Sequence, residues 1–320
     1  MSSPSEARFT YISTFAGCGG SSLGYKWAGG RGLAAVEFDA NAVATYQANF
    51  PDTPVIAKDI CLVTAEELME VAGIKVGELD ILDGSPPCQG FSTAGKRVIT
   101  DPRNSLYREY VRLIEGLQPR VFVMENVSGM VKGKMKLVFR EVMLALKSTG
   151  YRVRCKLLNA KYFNVPQSRE RLIWIGVRED LGRDASFPKA QGKPVTVREA
   201  LEGLMQSEKD LAPARLRDTW QMTRVLKGQE KKKHFGLVRL EWDRPSNTIV
   251  KDAGNTTTGM IHPVEDRRMS IPEIKRLASF PDEFRFLGEY KDQWQRIGNC
   301  VPPRFAQAIA EHIRDEILAV

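Results

Sequence analysis

The sequence is poor in cysteine and histidine and contains no long apolar run. Its five cysteines are scattered without any Cys-x-x-Cys pair, and only three histidines occur. An odd set of distant cysteines argues against a disulfide framework or a structural zinc site and is typical of a reducing compartment. No apolar run approaches the roughly 20 residues that span a bilayer, and the polar start from Met1 to Arg8 lacks the apolar core of a signal peptide. We therefore expect a cytoplasmic protein that binds neither a metal nor a membrane.

The composition is that of a globular protein with an excess of positive charge. The chain has 320 residues, of which 42% are hydrophobic, enough for one large core and a smaller second domain. Lysine and arginine outnumber aspartate and glutamate by 47 to 39, which gives a net charge of +8. Such an excess suits a polyanionic partner, although many basic proteins bind none.

Short apolar segments alternate with helical patterns in the first half of the chain. Helices are predicted over 41–49 and 135–147, where apolar residues recur at helical spacing. Buried strands are predicted over 11–15, 33–36, 55–57, 79–82, 121–124 and 172–175. This alternation predicts an α/β fold with a mostly parallel sheet covered by helices on both faces. Ligands of such folds collect beyond the carboxyl ends of the strands.

The alternation stops after Gly182, which divides the chain into three parts. Residues 1–182 form the predicted catalytic and cofactor-binding domain. Residues 183–268 are polar, turn-rich and basic, and they predict a second domain of irregular build. Residues 269–320 contain helical patterns over 271–279 and 303–318, and we expect this last part to return to the first domain.

A glycine-rich loop follows the first predicted strand. Glycines over 15–23 let the backbone turn sharply, and the next helix would direct its amide groups at a ligand. Glu37 follows about 20 residues after Gly17, where an acid can bind a ribose. Ser22 occupies the third glycine position of the dinucleotide pattern. The loop indicates a nucleoside cofactor, and a tight turn without a ligand is the alternative.

The fourth predicted strand leads into a loop that contains Cys88. Two prolines stiffen the chain before this cysteine, and the loop lies at the carboxyl end of a strand. A free cysteine is usually a small buried hydrophobe, which suits Cys61 and Cys155 better than Cys88. A thiolate is a strong nucleophile, and backbone amides in a polar loop would lower the pKa of the thiol and so favour the thiolate. We predict that Cys88 is a catalytic nucleophile.

Charged residues lie at two further strand ends. Glu125 ends the fifth predicted strand and could protonate a substrate nitrogen, or it could only cap the next helix. Arg169 and Arg171 precede the strand at 172–175. They could grip a phosphate, orient a base and balance Glu125, or they could form a solvated edge.

Taken together, these segments resemble the DNA (cytosine-5)-methyltransferase family in order and spacing. The glycine loop is similar to the first cofactor motif of that family, and 84–92 is similar to its Pro-Cys-Gln nucleophile motif. Four more segments match family motifs: Glu125-Asn126-Val127, the Gln-x-Arg-x-Arg run at 167–171, the segment 268–284, and the closing Gly-Asn motif at 295–301. Only 183–242 carries no resemblance.

The resemblance implies a Rossmann-like S-adenosylmethionine-dependent methyltransferase sheet with a smaller, irregular target-recognition domain. It implies S-adenosyl-L-methionine as cofactor, with Glu37 on the ribose and Phe38 against the adenine. The implied catalytic residues are Cys88, Glu125, Arg169 and Arg171. The implied cofactor-binding residues are Phe15, Ala16, Gly17, Cys18, Gly19, Gly20, Glu37, Phe38, Asp59, Ile60, Pro87, Asn299 and Val301. With the basic run included, the expected DNA-binding residues are Gln89, Ser92, Lys231, Lys232, Lys233, Thr248 and Ile249.

The expected reaction is methylation of carbon 5 of a cytosine flipped out of double-stranded DNA, by a monomer of bacterial or phage type. An RNA cytosine-5 methyltransferase and a non-catalytic DNA-binding relative remain alternatives. A zinc deaminase is excluded, because its Pro-Cys-x-x-Cys signature would need a cysteine where Phe91 stands.

Overall fold

The computed structural model describes residues 7–87, 106–205, 211–213, 237–251 and 259–319. Within these ranges, a seven-stranded sheet has the order β3-β2-β1-β4-β5-β7-β6. Its strands are β1 Phe9–Thr14, β2 Gly30–Val36, β3 Val55–Ile56, β4 Ile81–Gly84, β5 Val121–Val127, β6 Tyr151–Asn159 and β7 Glu170–Arg178. The strands β1 to β5 are parallel, whereas β7 runs antiparallel to both of its neighbours. The mostly parallel α/β sheet expected from the sequence is therefore present.

Helices cover both faces of the sheet. In chain order they are α1 Gly20–Trp27, α2 Ala40–Asn49, α3 Ala65–Ala72, α4 Leu106–Leu117, α5 Lys136–Lys147, α6 Val197–Leu201, α7 Ile271–Leu277, α8 Tyr290–Asn299 and α9 Pro303–His312. The carboxylate of Asp39 begins α2 by accepting the amide of Ala42 at 3.0 Å. Such caps satisfy amide groups that have no partner inside the helix.

Side chains of strand β5 are apolar on both faces of the sheet, because each face is covered by helices. Phe122 and Met124 pack on one face with helix α4, and Val121 and Val123 pack on the other with the C-terminal helix α9. Alternate residues of a strand point to opposite faces. A strand buried on both faces therefore reads as a continuous apolar run, which is the pattern that predicted it.

The predicted strand at 79–82 is displaced by two residues. The structure has β4 at Ile81–Gly84, because Ile81 pairs with Tyr11 and Gly84 pairs with Thr14 of β1. The sheet consequently includes Asp83, which is buried. The sequence prediction omitted β6, an edge strand whose charged residues alternate with apolar ones.

Helix α9 of the C-terminal part packs against helix α1. Phe305 and Ile309 of α9 join Tyr25 and Ala28 of α1 in one apolar cluster. The chain continues from α9 as a π-helical turn, Ile313–Leu318, which contributes to the same cluster. This packing brings the closing segment beside the glycine loop that precedes α1.

The described part of 183–268 has little regular structure. It contains α6 and a two-stranded parallel sheet formed by β8 Leu237–Arg239 and β9 Gly259–Ile261. Among all described residues, each helix is too short or too polar to traverse a bilayer.

Candidate active site

The glycine loop is held in its turn by the carboxylate of Glu37. Gly17 has a φ of 55°, in the left-handed region that favours glycine. Its amide donates to Glu37 Oε2 at 2.9 Å, and the amides of Phe38 and Asp39 both donate to Glu37 Oε1 at 2.9 Å. Glu37, for which the sequence predicts contact with a ribose, thus contacts the glycine loop directly.

Phe38 follows β2 and Asp59 follows β3, the two strands that lie next in the sheet after β1, which leads into the glycine loop. The ring of Phe38 is 73% exposed, so a flat ligand has access to its face. Asp59 accepts the amide of Cys61 at 3.0 Å and begins a single 3₁₀ turn in which Ile60 is buried. The glycine loop, Phe38 and Asp59 thus follow the carboxyl ends of β1, β2 and β3 in turn.

The segment that follows α8 closes against the glycine loop. Gly20 lies so near this segment that a Cβ atom there would be 2.3 Å from the carbonyl oxygen of Val301. Any other residue at position 20 would force the two segments apart. Asn299, the last residue of α8, is exposed.

Two thiols meet where these segments touch. The Sγ atoms of Cys18 and Cys300 are 2.8 Å apart, and both side chains are buried. Burial raises the pKa of the Cys18 thiol. The pKa of Cys300 is lowered because Cys18 donates a hydrogen bond to its sulfur and because Arg169 and Arg296 lie nearby. The predicted cofactor residue Cys18 therefore contacts the C-terminal segment from inside the fold.

An ion pair fastens helix α8 to the start of helix α2. Both terminal nitrogens of Arg296 bind the carboxylate of Asp39, with Nη1 at 3.1 Å from Oδ1 and Nη2 at 3.2 Å from Oδ2. Arg296 is only 8% exposed. Paired contacts of this kind fix direction as well as distance. Sequence reasoning missed this pair, because its members lie on opposite ends of the chain.

The strand β4 leads toward Cys88 beside the carboxyl end of β5. Gly84 pairs with Met124, and the amide Nδ2 of Asn126 donates to the carbonyl oxygen of Pro86 at 3.1 Å. Asn126 thus fixes Pro86, two residues before Cys88 in the sequence, from the neighbouring strand. Pro87 is the last described residue before that loop.

Glu125 and Arg171 form an ion pair across β5 and β7. Glu125 Oε1 lies 2.6 Å from Arg171 Nε, and the two side chains are only 13% and 12% exposed. Glu125 pairs with Ile173 in the antiparallel ladder, and Arg171 is two residues away on the same strand. Diagonal neighbours of this kind lie within reach of long side chains. The predicted balance between Glu125 and an arginine is therefore provided by Arg171.

Arg169 has a different role in the fold. It is buried, and its Nη1 donates to the carbonyl oxygens of Ile249 at 3.2 Å and Gly298 at 3.1 Å. Burial lowers its pKa to about 9. Arg169 joins the motif at 167–171 to two distant segments, and its catalytic role stays a prediction.

Thr248 and Ile249 are held by the same motif. The hydroxyl of Thr248 donates to the carbonyl oxygen of Ser168 at 2.7 Å, and the amide of Ile249 donates to Gln167 Oε1 at 3.1 Å. Ile249 is fully buried in an apolar cluster with Leu277. Its side chain therefore supports the fold here, whereas the expectation from sequence was contact with DNA.

Several predicted site residues lie outside the described residues: Cys88, Gln89, Ser92, Lys231, Lys232 and Lys233. Within the described ranges, no group of three or more His, Cys, Asp and Glu side chains is arranged to hold a metal ion.

Comparison with known proteins decides the family. The family model for C-5 cytosine-specific DNA methylases matches residues 9–315. The chain belongs to this family. It is 35% identical to the Type II methyltransferase M1.HphI of Haemophilus parahaemolyticus, in an alignment covering 95% of this chain and 86% of the relative. It is also 35% identical to M.XorII of Xanthomonas oryzae pv. oryzae, with 94% and 84% covered.

Solved structures agree with the family in fold. A prophage-encoded DNA modification methyltransferase of E. coli superposes with a TM-score of 0.75 at 27% identity, covering 97% of this chain and 99% of the other. Spodoptera frugiperda DNMT2 superposes with a TM-score of 0.70 at 21% identity, covering 93% and 97%. The Rossmann-like methyltransferase sheet predicted from the sequence is thereby confirmed.

Proposed function

We propose that this methylase transfers a methyl group from S-adenosyl-L-methionine to carbon 5 of cytosine in a specific sequence of double-stranded DNA. The observation that carries the proposal is the Glu125–Arg171 ion pair, which lies in a C-5 cytosine methylase fold beside the strand leading to Cys88. Relatives named Type II methyltransferases support DNA as the substrate and a restriction–modification setting.

The proposed cofactor pocket is lined by residues whose chemistry suits S-adenosyl-L-methionine. Glu37 offers carboxylate oxygens to a ribose, the exposed ring of Phe38 offers a stacking face, and the glycines at 17, 19 and 20 allow close approach of the backbone. Asn299 and Val301 would complete the pocket from the C-terminal segment. The cofactor supplies an electrophilic methyl group when bound.

The proposed chemistry overcomes the weak nucleophilicity of carbon 5 of cytosine. The Cys88 thiolate adds to carbon 6, and Glu125 in its protonated form donates a hydrogen bond or its proton at N3, so the ring becomes an enamine that can accept the methyl group at carbon 5. Water then takes up the carbon-5 proton, the electron pair of the broken C–H bond re-forms the C5–C6 double bond and expels the Cys88 thiolate, and N3 returns its proton to Glu125. Arg171 holds the Glu125 carboxyl group in place throughout.

These steps require a cytosine outside the base stack. Flipping a base out of a duplex costs a few kcal/mol, which contacts with the protein must offset. We assign this work to residues 183–268 together with Gln89, Ser92, Thr248 and the lysines at 231–233. The net charge of +8 suits contact with phosphates. We further propose that the enzyme acts as a monomer in the bacterial cytoplasm, where its DNA substrate lies.

Sequencing of bisulfite-treated plasmid DNA from cells that express the chain tests this function. We expect protected cytosines at one fixed sequence, and 5-methylcytosine on nucleoside analysis of the same DNA. Cells expressing Cys88→Ala provide the control, and in their plasmid DNA bisulfite should convert every cytosine of that sequence to uracil. Unprotected DNA accompanied by new 5-methylcytosine in RNA would instead favour the RNA methyltransferase alternative.

A further inference from the structure

Among the described residues, a buried carboxylate without a basic partner lies between strand β4 and helix α1, which follows the glycine loop. Asp83 is the third residue of β4 and is only 4% exposed. Its Oδ2 accepts the hydroxyls of Ser13 at 3.0 Å and Ser21 at 2.7 Å, and its Oδ1 accepts the hydroxyl of Tyr25 at 3.1 Å. Within the described residues, no lysine, arginine or histidine forms an ion pair with it.

These three hydroxyls come from two different elements. Ser13 lies on β1, which is already joined to β4 by the hydrogen bonds of the sheet. Ser21 and Tyr25 lie on α1, the helix that begins directly after the glycine loop. The carboxylate therefore joins the cofactor helix to β4, which runs on through Gly84 toward Cys88.

The charge on Asp83 is unfavourable for folding at neutral pH. Burial raises the pKa of Asp83 from 3.8 to about 6, the three hydroxyl donors oppose this, and the negative charge of Glu125 on β5 adds to it. Because the folded pKa is raised, the stability contributed by this group is present below about pH 4 and is lost as the pH rises through 6. A residue that weakens the fold at working pH is a candidate for a role in function.

We propose that Asp83 is a positioning residue for methyl transfer, which orders the hydroxyls of Ser21 and Tyr25 and so sets the cofactor helix relative to the strand that carries the nucleophile. An asparagine at this position would accept only at its single carbonyl oxygen, so it could not accept all three hydroxyl hydrogens. The cofactor loop would then lose its alignment while the sheet stays intact. This inference rests on the proposed function, because it assumes that the glycine loop binds S-adenosylmethionine.

Two serines on the same carboxylate oxygen give a matched test. Ser21→Ala removes one of the two hydrogen bonds from Asp83 to helix α1, the other being that of Tyr25, and Ser13→Ala removes a bond of the same kind within the sheet. We expect Ser21→Ala to lower the affinity for S-adenosylhomocysteine, measured by calorimetry, by about tenfold, the equivalent of one hydrogen bond to a charged group. Ser13→Ala should stay within about twofold of the parent. Equal affinities of the two variants would overturn the proposal.

Asp83→Asn separates positioning from simple structural support. At pH 8 we expect its melting temperature to match or exceed that of the parent, while its affinity for S-adenosylhomocysteine falls by about tenfold or more. The ratio of parent to variant affinity should shrink below pH 6, where Asp83 becomes protonated. Other titratable groups face Asp83 and are present in both proteins, so the pH dependence of the ratio reports the charge of Asp83 and its coupling to them: Tyr11, Tyr25, Tyr46, Tyr110 and Glu125.

A lower melting temperature for Asp83→Asn with unchanged affinity would show that Asp83 only supports the fold. If Asp83→Asn does not fold, Tyr25→Phe serves instead, because it removes one hydroxyl donor and keeps the buried ring. A parent protein that fails to bind S-adenosylhomocysteine would refute the proposed function. If the parent binds S-adenosylhomocysteine and the Ser21→Ala and Ser13→Ala variants bind it with equal affinity, only the role of Asp83 is refuted and the proposed function stands.

Discussion

Arg171 Nε lies 2.6 Å from Glu125 Oε1, on the strand next to the one that carries the acid. Because β7 runs antiparallel to β5, the start of β7 meets the carboxyl end of β5. The guanidinium group thus reaches Glu125 at the edge of the sheet where parallel strands present ligand-binding residues. This ion pair gives Glu125 a fixed direction before any substrate arrives.

Replacement of Glu125 by glutamine tests its role in activating the cytosine ring. Glutamine keeps the size of the side chain but cannot transfer a proton. We expect turnover to fall by about 10²–10⁴-fold, with the affinity for S-adenosylhomocysteine nearly unchanged. Glu170→Gln, an exposed neighbour on β7, is the control and should keep parental turnover. A loss confined to cofactor binding would contradict the assignment.

Replacement of Arg171 tests whether the ion pair positions Glu125. Arg171→Ala leaves a mostly buried carboxylate without this partner, and we expect unfolding free energy to fall by about 3 kcal/mol and turnover to fall with it. Arg171→Lys keeps the charge but not the planar fork. Compared with Arg171→Ala, Arg171→Lys should therefore restore most of the lost unfolding free energy but less of the lost turnover. Full turnover in Arg171→Ala would show that the pair has no part in catalysis.

The lysines at 231–233 are predicted to contact the DNA backbone. Changing all three to glutamine should weaken DNA binding and reduce the slope of log affinity against log salt by about 1 for each phosphate that is no longer neutralised. The exposed lysines Lys75, Lys136 and Lys147, changed together, produce the same change in net charge and should leave the slope unaltered. Identical slopes for both triple variants would mean that the run is only a solvated surface.

Asn299 is predicted to reach the methionine end of the cofactor. It is exposed at the end of α8, beside the segment that touches the glycine loop. Asn299→Ala should lose affinity for S-adenosylhomocysteine in calorimetry, while its melting temperature without ligand barely changes. Gln293→Ala removes a hydrogen bond to Gly288 at the start of the same helix. It should lower the melting temperature and leave the affinity for S-adenosylhomocysteine unchanged. If Asn299→Ala behaves like Gln293→Ala, the asparagine is a turn cap.

The parts of the fold that could be predicted are those with a buried periodic pattern. The strands β1 and β5 were predicted because both of their faces are apolar. The edge strand β6 was missed because Arg152, Arg154 and Lys156 interrupt its apolar residues. Helix α4 was missed although Tyr107, Tyr110, Leu113, Ile114 and Leu117 recur along it at helical spacing, a signal that was present in the sequence.

Candidate site residues could be predicted where they lie at the carboxyl end of a predicted strand. Glu37 and Glu125 each lie at such an end. The contacts of Arg169 were not predictable, because its acceptors are 80 and 129 residues away along the chain. Asp83 was hidden for a related reason, since its partners Ser13 and Ser21 are ordinary residues until the sheet brings them together.

Trapping of a covalent complex on DNA that carries 5-fluorocytosine at the methylated position tests the central claim most directly. Fluorine at carbon 5 blocks the elimination step, so the bond between the Cys88 sulfur and carbon 6 persists after methyl transfer. We predict a complex that survives denaturation, forms only with S-adenosylmethionine present, and is absent for Cys88→Ala, which should still fold and bind DNA. A complex that forms equally with Cys88→Ala, or undiminished methyl transfer by that variant, would contradict the account.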